Sequence, residues 1–186
     1  MNPWLFILRV FLFIIMISKT LNSEEFLPYY SQYIDKATDI NIVQALQDNL
    51  QSVVKYFESV PIEKQGYAYA KNKWSIKDIL LHLIDTERIF CYRALRITRN
   101  DMTPLVGFDQ DEYVMHGKAN NRTMDSLIEE YISVRNSTIT LFSNIDSVAI
   151  KLMGEASGSK ISVRAIGYII TGHENHHISI ITERYL

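Results

Sequence analysis

Apolar residues recur at helical spacing in four long stretches of the chain. In the first, from Asn41 to Val60, one face carries Ile42, Val43, Leu46, Leu50, Val53, Val54 and Phe57. Pro61 stands where that helix should stop. The second begins at WSIKD and continues to about Asn100. Ser75 is its natural N-cap, and Asp78 supplies the acidic partner of a capping-box-like start. The third runs from Thr123 through LIEEYISVRNSTITLF to about Asn144. The fourth is capped by Ser162 and runs nearly to the last residue, with a stripe of Val163, Ile166, Ile169, Ile170, Ile180 and Ile181. No convincing series of strands interrupts them. Four such helices predict an all-α protein, a four-helix bundle. The connections are unequal. MTPLVGFDQDEYVMHGKANNR, with Pro104, Gly107 and Gly117, is a long connection able to cross the bundle or cover one end, and DSVAIKLMGEASGSK reads as a short turn or helix before the last helix.

Composition narrows the picture without changing it. The 186 residues suit one domain, and 47% apolar with 22% charged residues is ordinary for a globular protein. A net charge of −2 gives no basic excess, so no nucleic-acid partner is expected. The single cysteine, Cys91, excludes an internal disulfide framework and reads as a core thiol on the second helix. The N-terminus is set apart. Residues 1–22 form an apolar extension and residues 23–186 the bundle domain. The run from Trp4 to Ile17 is short for a membrane span and contains Arg9. It serves as a signal region only without a clear cleavage site. A further reading makes Met16 the translation start. The sequons at Asn121 and Asn136 read as chance matches.

The fourth helix holds the candidate chemistry, in GHENHHISIITERYL. His173 and His177 fall within the apolar stripe one turn apart, Glu174 points about a quarter-turn away on the flank, and His176 sits at the stripe's edge. Two imidazoles at i and i+4 can reach one ion. Two such histidines can equally bond backbone, water or carboxylates in a core. His82, bordering the apolar face of the second helix, adds a third nitrogen and completes an open three-histidine site of the kind that leaves positions for water or substrate. His116 reads as a solvated loop residue. The H-E-x-x-H match at residues 173–177 is a weak signal for a zinc protease. The chain ends nine residues after His177, and Ile180 and Glu183 occupy the glycine and histidine places of the extended motif.

KWSIKDILLHLIDTERIFCYRALRI, TPLVGFDQDEYV and ISVRAIGYIITGHENHHISIITERYL together resemble the DinB-like family of bacterial metal-binding four-helix bundles. The resemblance implies an up-down-down-up topology, often dimeric, with His82, His173 and His177 as metal ligands. It implies a divalent ion, such as zinc, nickel or iron. It also implies a metal-dependent enzyme, such as a thiol S-transferase acting on electrophilic small molecules with a low-molecular-weight thiol like bacillithiol. A small-molecule hydrolase or a non-catalytic metal-binding bundle are the alternatives. Relatives of this type begin near MISKTLNSEEFLPYY, which favours Met16 as the start and a cytoplasmic location. Membrane anchoring or export follows instead if residues 1–22 are genuine. Glu174, His176 and Asp85 are the candidate catalytic helpers, with Glu87 further from the direction of His82. Each carboxylate also reads as a surface residue solvated or paired with Arg88, Arg93 or Arg96. The GFDQDEY loop, with Tyr113, is placed to close over the site.

Overall fold

The structure, a computed structural model, describes residues 17–186. The apolar run up to Met16, and the candidate start there, lie outside the described residues. Four long helices dominate: α1 (Ile42–Glu58), α2 (Ile76–Thr98), α3 (Met124–Ser143) and α4 (Val163–Arg184). Their starts follow the expected capping chemistry. The Asn41 side chain accepts from Val43 and Gln44, Thr123 caps α3 and Ser162 caps α4. Ser75 and Asp78 close a reciprocal capping box, Asp78 N–H to Ser75 Oγ at 3.1 Å and Ser75 N–H to Asp78 Oδ2 at 2.9 Å. Such caps satisfy amide groups that a helix start leaves without partners.

Cross-helix contacts give the topology. Asn49 meets Glu174 and Tyr56 meets Thr182, so α1 and α4 run parallel. Lys77 meets Arg122 and Cys91 meets Thr138, so α2 and α3 run parallel. His82 faces His173 while Trp74 meets Tyr185, so α2 and α4 are antiparallel. The bundle is therefore up-down-down-up. The core divides into two apolar halves, one around Leu46, Phe90, Phe142 and Ile166, the other around Phe57, Leu80, Leu127 and Ile181. Between them lies a layer of buried polar side chains: Asn49, His82, Glu87, Arg135, Thr138, His173 and Glu174.

Two connections differ from expectation. Residues 146–162 hold a single 3-10 turn and then an antiparallel hairpin, β1 (Met153–Ala156) with β2 (Ser159–Ser162). The turn residues Ser157 and Gly158 both have positive φ, 54° and 75°, the conformation that matches a two-residue hairpin turn to the strand twist. Strands of four residues are too short to leave a readable alternation. The long connection is also not all loop. Asp109 caps a short helix, Gln110–Gly117, by accepting from Asp111 and Glu112. Leu105 pairs with the hairpin, its N–H to Glu155 C=O at 2.9 Å. Among the described residues no helix is long and apolar enough to cross a membrane.

The segment before α1 packs on α4. A short helix, Ser31–Ile34, meets α4 at Gly172, where a Cβ would stand 1.7 Å from the Tyr33 carbonyl oxygen. Only glycine permits that approach. Gly172→Ala is expected to cost at least about 1–3 kcal/mol, the range for overpacking, because the obstacle is backbone. A thermal melt would show it as a fall of several degrees, and an unchanged melting temperature would contradict this packing.

Candidate metal centre

The polar layer brings together the three histidines that the sequence singled out. The buried His173 sits at the centre. Its Nε2 lies 3.2 Å from His82 Nε2 and 3.0 Å from His177 Nε2. Each of the three offers a nitrogen, and all of these lie within 4.8 Å of one another. Zinc–nitrogen bonds of about 2.0–2.1 Å place tetrahedral ligand nitrogens roughly 3.3 Å apart and adjacent octahedral ones roughly 3.0 Å apart, so the two spacings about His173 are those of ligands that share one ion. The donor set suits a borderline-soft divalent ion.

Burial keeps these imidazoles neutral, with lone pairs free to bind. It pushes His82 down to about 4 and, with help from neighbouring His82 and His176, His177 down to about 3. His173 is driven well below the ordinary value by burial and by the other imidazoles. Aromatic rings frame the cluster. Trp74 lies 4.7 Å from the His82 ring and stacks at 20° on His177. Tyr33 meets the edges of His173 and His176 at 5.1 Å each. Thr86 Oγ1 is 3.4 Å from His82 Nδ1. His176 therefore stands beside the site and outside the cluster.

Two cavities reach the histidines from different sides. One, of about 170 Å³, is lined by His82 and His173 with Tyr30, Tyr33, Phe90 and Phe108. The other, of about 330 Å³, is lined by His177 with Tyr69, Trp74, Asp111 and Tyr185. The 101–122 connection crosses the bundle, running back along α2 from Leu105 at the hairpin to Asn120 beside Ser75, and on the way Phe108 and Gln110 line the first cavity and Asp111 the second. Tyr113 packs on Phe108, rings 5.1 Å apart, and lines neither cavity next to the histidines.

The candidate carboxylates are placed otherwise than expected. Glu174 is buried, not on a flank, because α1, α2 and the segment before α1 enclose the first half of α4, and Tyr131 and Arg135 reach across to it from α3. Its Oε1 accepts from Tyr131 OH at 2.7 Å and from Arg135, and its Oε2 accepts from Asn49 at 2.9 Å. Glu87, also expected at the surface, is buried as well. It receives Arg135 Nε and Nη2 at 2.8 Å each and Thr138 Oγ1 at 2.5 Å. Burial raises the Glu174 carboxyl against the opposing pull of Arg135. For Arg135 burial acts to lower its value, but Glu174 and Glu87 outweigh this and hold it well above the ordinary one. Asp85 faces Arg88 at 3.6 Å and lines neither cavity. His116 is exposed, its Nδ1 bonded to Glu112 C=O at 2.9 Å at the end of the short helix. Cys91 is half-buried against Thr138, and burial pushes its thiol up to about 11, away from nucleophilic use.

The sequence reading missed the Arg135 network and the aromatic wall. A signal existed for the first: Arg135 stands at helical spacing with Ile128, Tyr131, Thr138 and Phe142, where an apolar residue is expected. For the tyrosines of PYYSQY the only signal was their density.

Fold and cluster define a class: a four-helix bundle with an open group of three histidines able to hold a metal ion. Residues 45–181 match the family model of the DinB superfamily, and the chain belongs to that superfamily. Among solved structures it is similar to YfiT from Bacillus subtilis, "a probable metal-dependent hydrolase with an unusual four-helix bundle topology". The two are 13% identical with a TM-score of 0.66, over 88% of this chain and 89% of that one, a likeness of fold. No curated protein matched the chain.

Proposed function

We propose that the chain is a metal-dependent hydrolase of small molecules, with a divalent ion held by Nε2 of His82, His173 and His177. The observation that carries this reading is the convergence of three neutral imidazole nitrogens at the inner ends of two cavities, with no carboxylate among them. An ion held only by neutral ligands keeps its full charge and supplies Lewis-acid activation of water and of a substrate oxygen. The fold likeness to a bundle named as a metal-dependent hydrolase agrees with it. The chain's own residues hold and shape. Trp74 and Tyr33 fix the imidazole rings, and the Tyr33 hydroxyl, pushed upward by burial, stays protonated as a donor. Glu174 and Glu87 are committed to Arg135, which leaves Asp111, among the described residues, as the one acid that lines either of these two cavities, the one it shares with His177.

A second reading, transfer of a low-molecular-weight thiol to an electrophile, draws on one observation. The two cavities would let two substrates reach the ion separately. Purified protein is expected to carry about one divalent ion per chain, and His82→Ala to carry much less. Absence of metal in the native chain under metal-replete conditions would sink both readings. With metal present, turnover of ester or amide substrates supports hydrolysis, and bacillithiol consumption with an electrophile supports transfer. Turnover of neither would mark a binding protein.

A further inference from the structure

We propose that Arg93 recognises a carboxylate on the substrate, so that the first cavity takes small carboxylic acids with a planar, unsaturated body. The proposal rests on the hydrolytic reading only for what happens at the histidines.

Arg93 is 2% exposed, yet it lacks the carboxylate partner that the bundle's other buried arginine and several of its surface arginines have. Arg135 is held by Glu87 and Glu174, Arg88 by Glu130, Arg96 by Asp101 and Arg164 by Glu25. Among the described residues Arg93 meets no carboxylate. Its hydrogen bonds, both from Nη2, go to the Val106 carbonyl at 3.1 Å and Ser157 Oγ at 2.9 Å. Among the described residues its Nε and Nη1 make none. A buried guanidinium with only neutral acceptors is a costly arrangement that an incoming carboxylate relieves, and the planar fork suits bidentate capture of that group.

Its position points the charge at the chemistry. Arg93 lies eleven residues after His82 on α2, about 1100° or three turns and 20°, and so on the same face. Side chains on a helix lean toward its N-terminus, which carries the guanidinium back toward His82. Arg93, His82 and His173 all line the one cavity. Between them stand the rings of Tyr30, Tyr33, Phe90 and Phe108, walls suited to a flat apolar body. A substrate anchored by its carboxylate at Arg93 would present its other end to the three imidazoles.

The competing account makes Arg93 a tether of the hairpin turn and the 104–108 segment. Calorimetry separates the two, using benzoate, phenylacetate and cinnamate, each beside its neutral amide, on zinc-loaded and on metal-stripped protein. At least one acid is expected to bind both forms, its amide about tenfold or more weaker, and Arg93→Met to lose about tenfold or more. Arg93→Lys should retain part of the binding. The proposal is overturned if no acid binds, if acid and amide bind equally, if Arg93→Met binds like the native chain, or if binding vanishes with the metal. Should Arg93→Met fail to fold, the acid-to-amide comparison on the native chain decides. Failure of the hydrolytic reading would appear separately, as carboxylate binding without metal-dependent turnover.

Discussion

Arg135→Met is expected to destabilise the bundle by about 3–5 kcal/mol, the cost of stranding buried charge. Arg135 has no exposed surface, and its removal leaves Glu87 and Glu174 facing each other in the core without a cation. For a domain of this size that corresponds to a fall of roughly 6–20 °C in melting temperature. Adding Glu87→Gln and Glu174→Gln removes the stranded charge, and the triple variant should recover much of the loss. A single variant that melts within about 1 kcal/mol of the native chain would mean that the network contributes little, as an exposed pair does.

Saturating zinc is expected to raise the melting temperature of metal-stripped native protein and to leave His173→Ala where it was. An ion at a thousand times its dissociation constant stabilises the folded state by about 4 kcal/mol, roughly 8–16 °C here. An equal rise in both proteins would place the ion elsewhere. The same histidines make the stripped protein sensitive to acid. His82 is pushed by burial from 6.5 down to about 4, so between those values it binds a proton only when unfolded. Its contribution to stability is therefore present above about 6.5 and lost as pH falls toward about 4. Denaturant melts at several pH values should show the native stripped chain losing stability across this window and His82→Ala losing less.

Much of this was legible in the sequence. All four helix starts could be read because each cap is a local interaction between a side chain and amides two or three positions on. The histidine triad could be read because α2 and α4 are amphipathic, and helical phase alone puts His82, His173 and His177 on inward faces. Phase failed for Glu174. A wheel assumes one buried stripe, and α4 from Ala165 to Glu174 is buried all round because a further segment packs on Gly172. The hairpin was missed because its strands are four residues long. Arg93 stood in the sequence beside other arginines and looked like a partner for surface acids. Only the pairing of its neighbours, Arg88 with Glu130 and Arg96 with Asp101, leaves it alone.

The polar layer across the core acts as an axial index for the four helices. Sliding any one by a turn would set Arg135, Glu87, Glu174 or Asn49 against leucine and isoleucine, so mis-registered packings are excluded in the way that one buried asparagine fixes a coiled coil. His82 stands five residues from Glu87 on α2, and His173 adjoins Glu174 on α4. The contacts that set helix register thus also set the spacing of the imidazoles. The gap between Nε2 atoms is set by the fold, so an ion bound as proposed would spend little of its binding free energy on assembling its ligands.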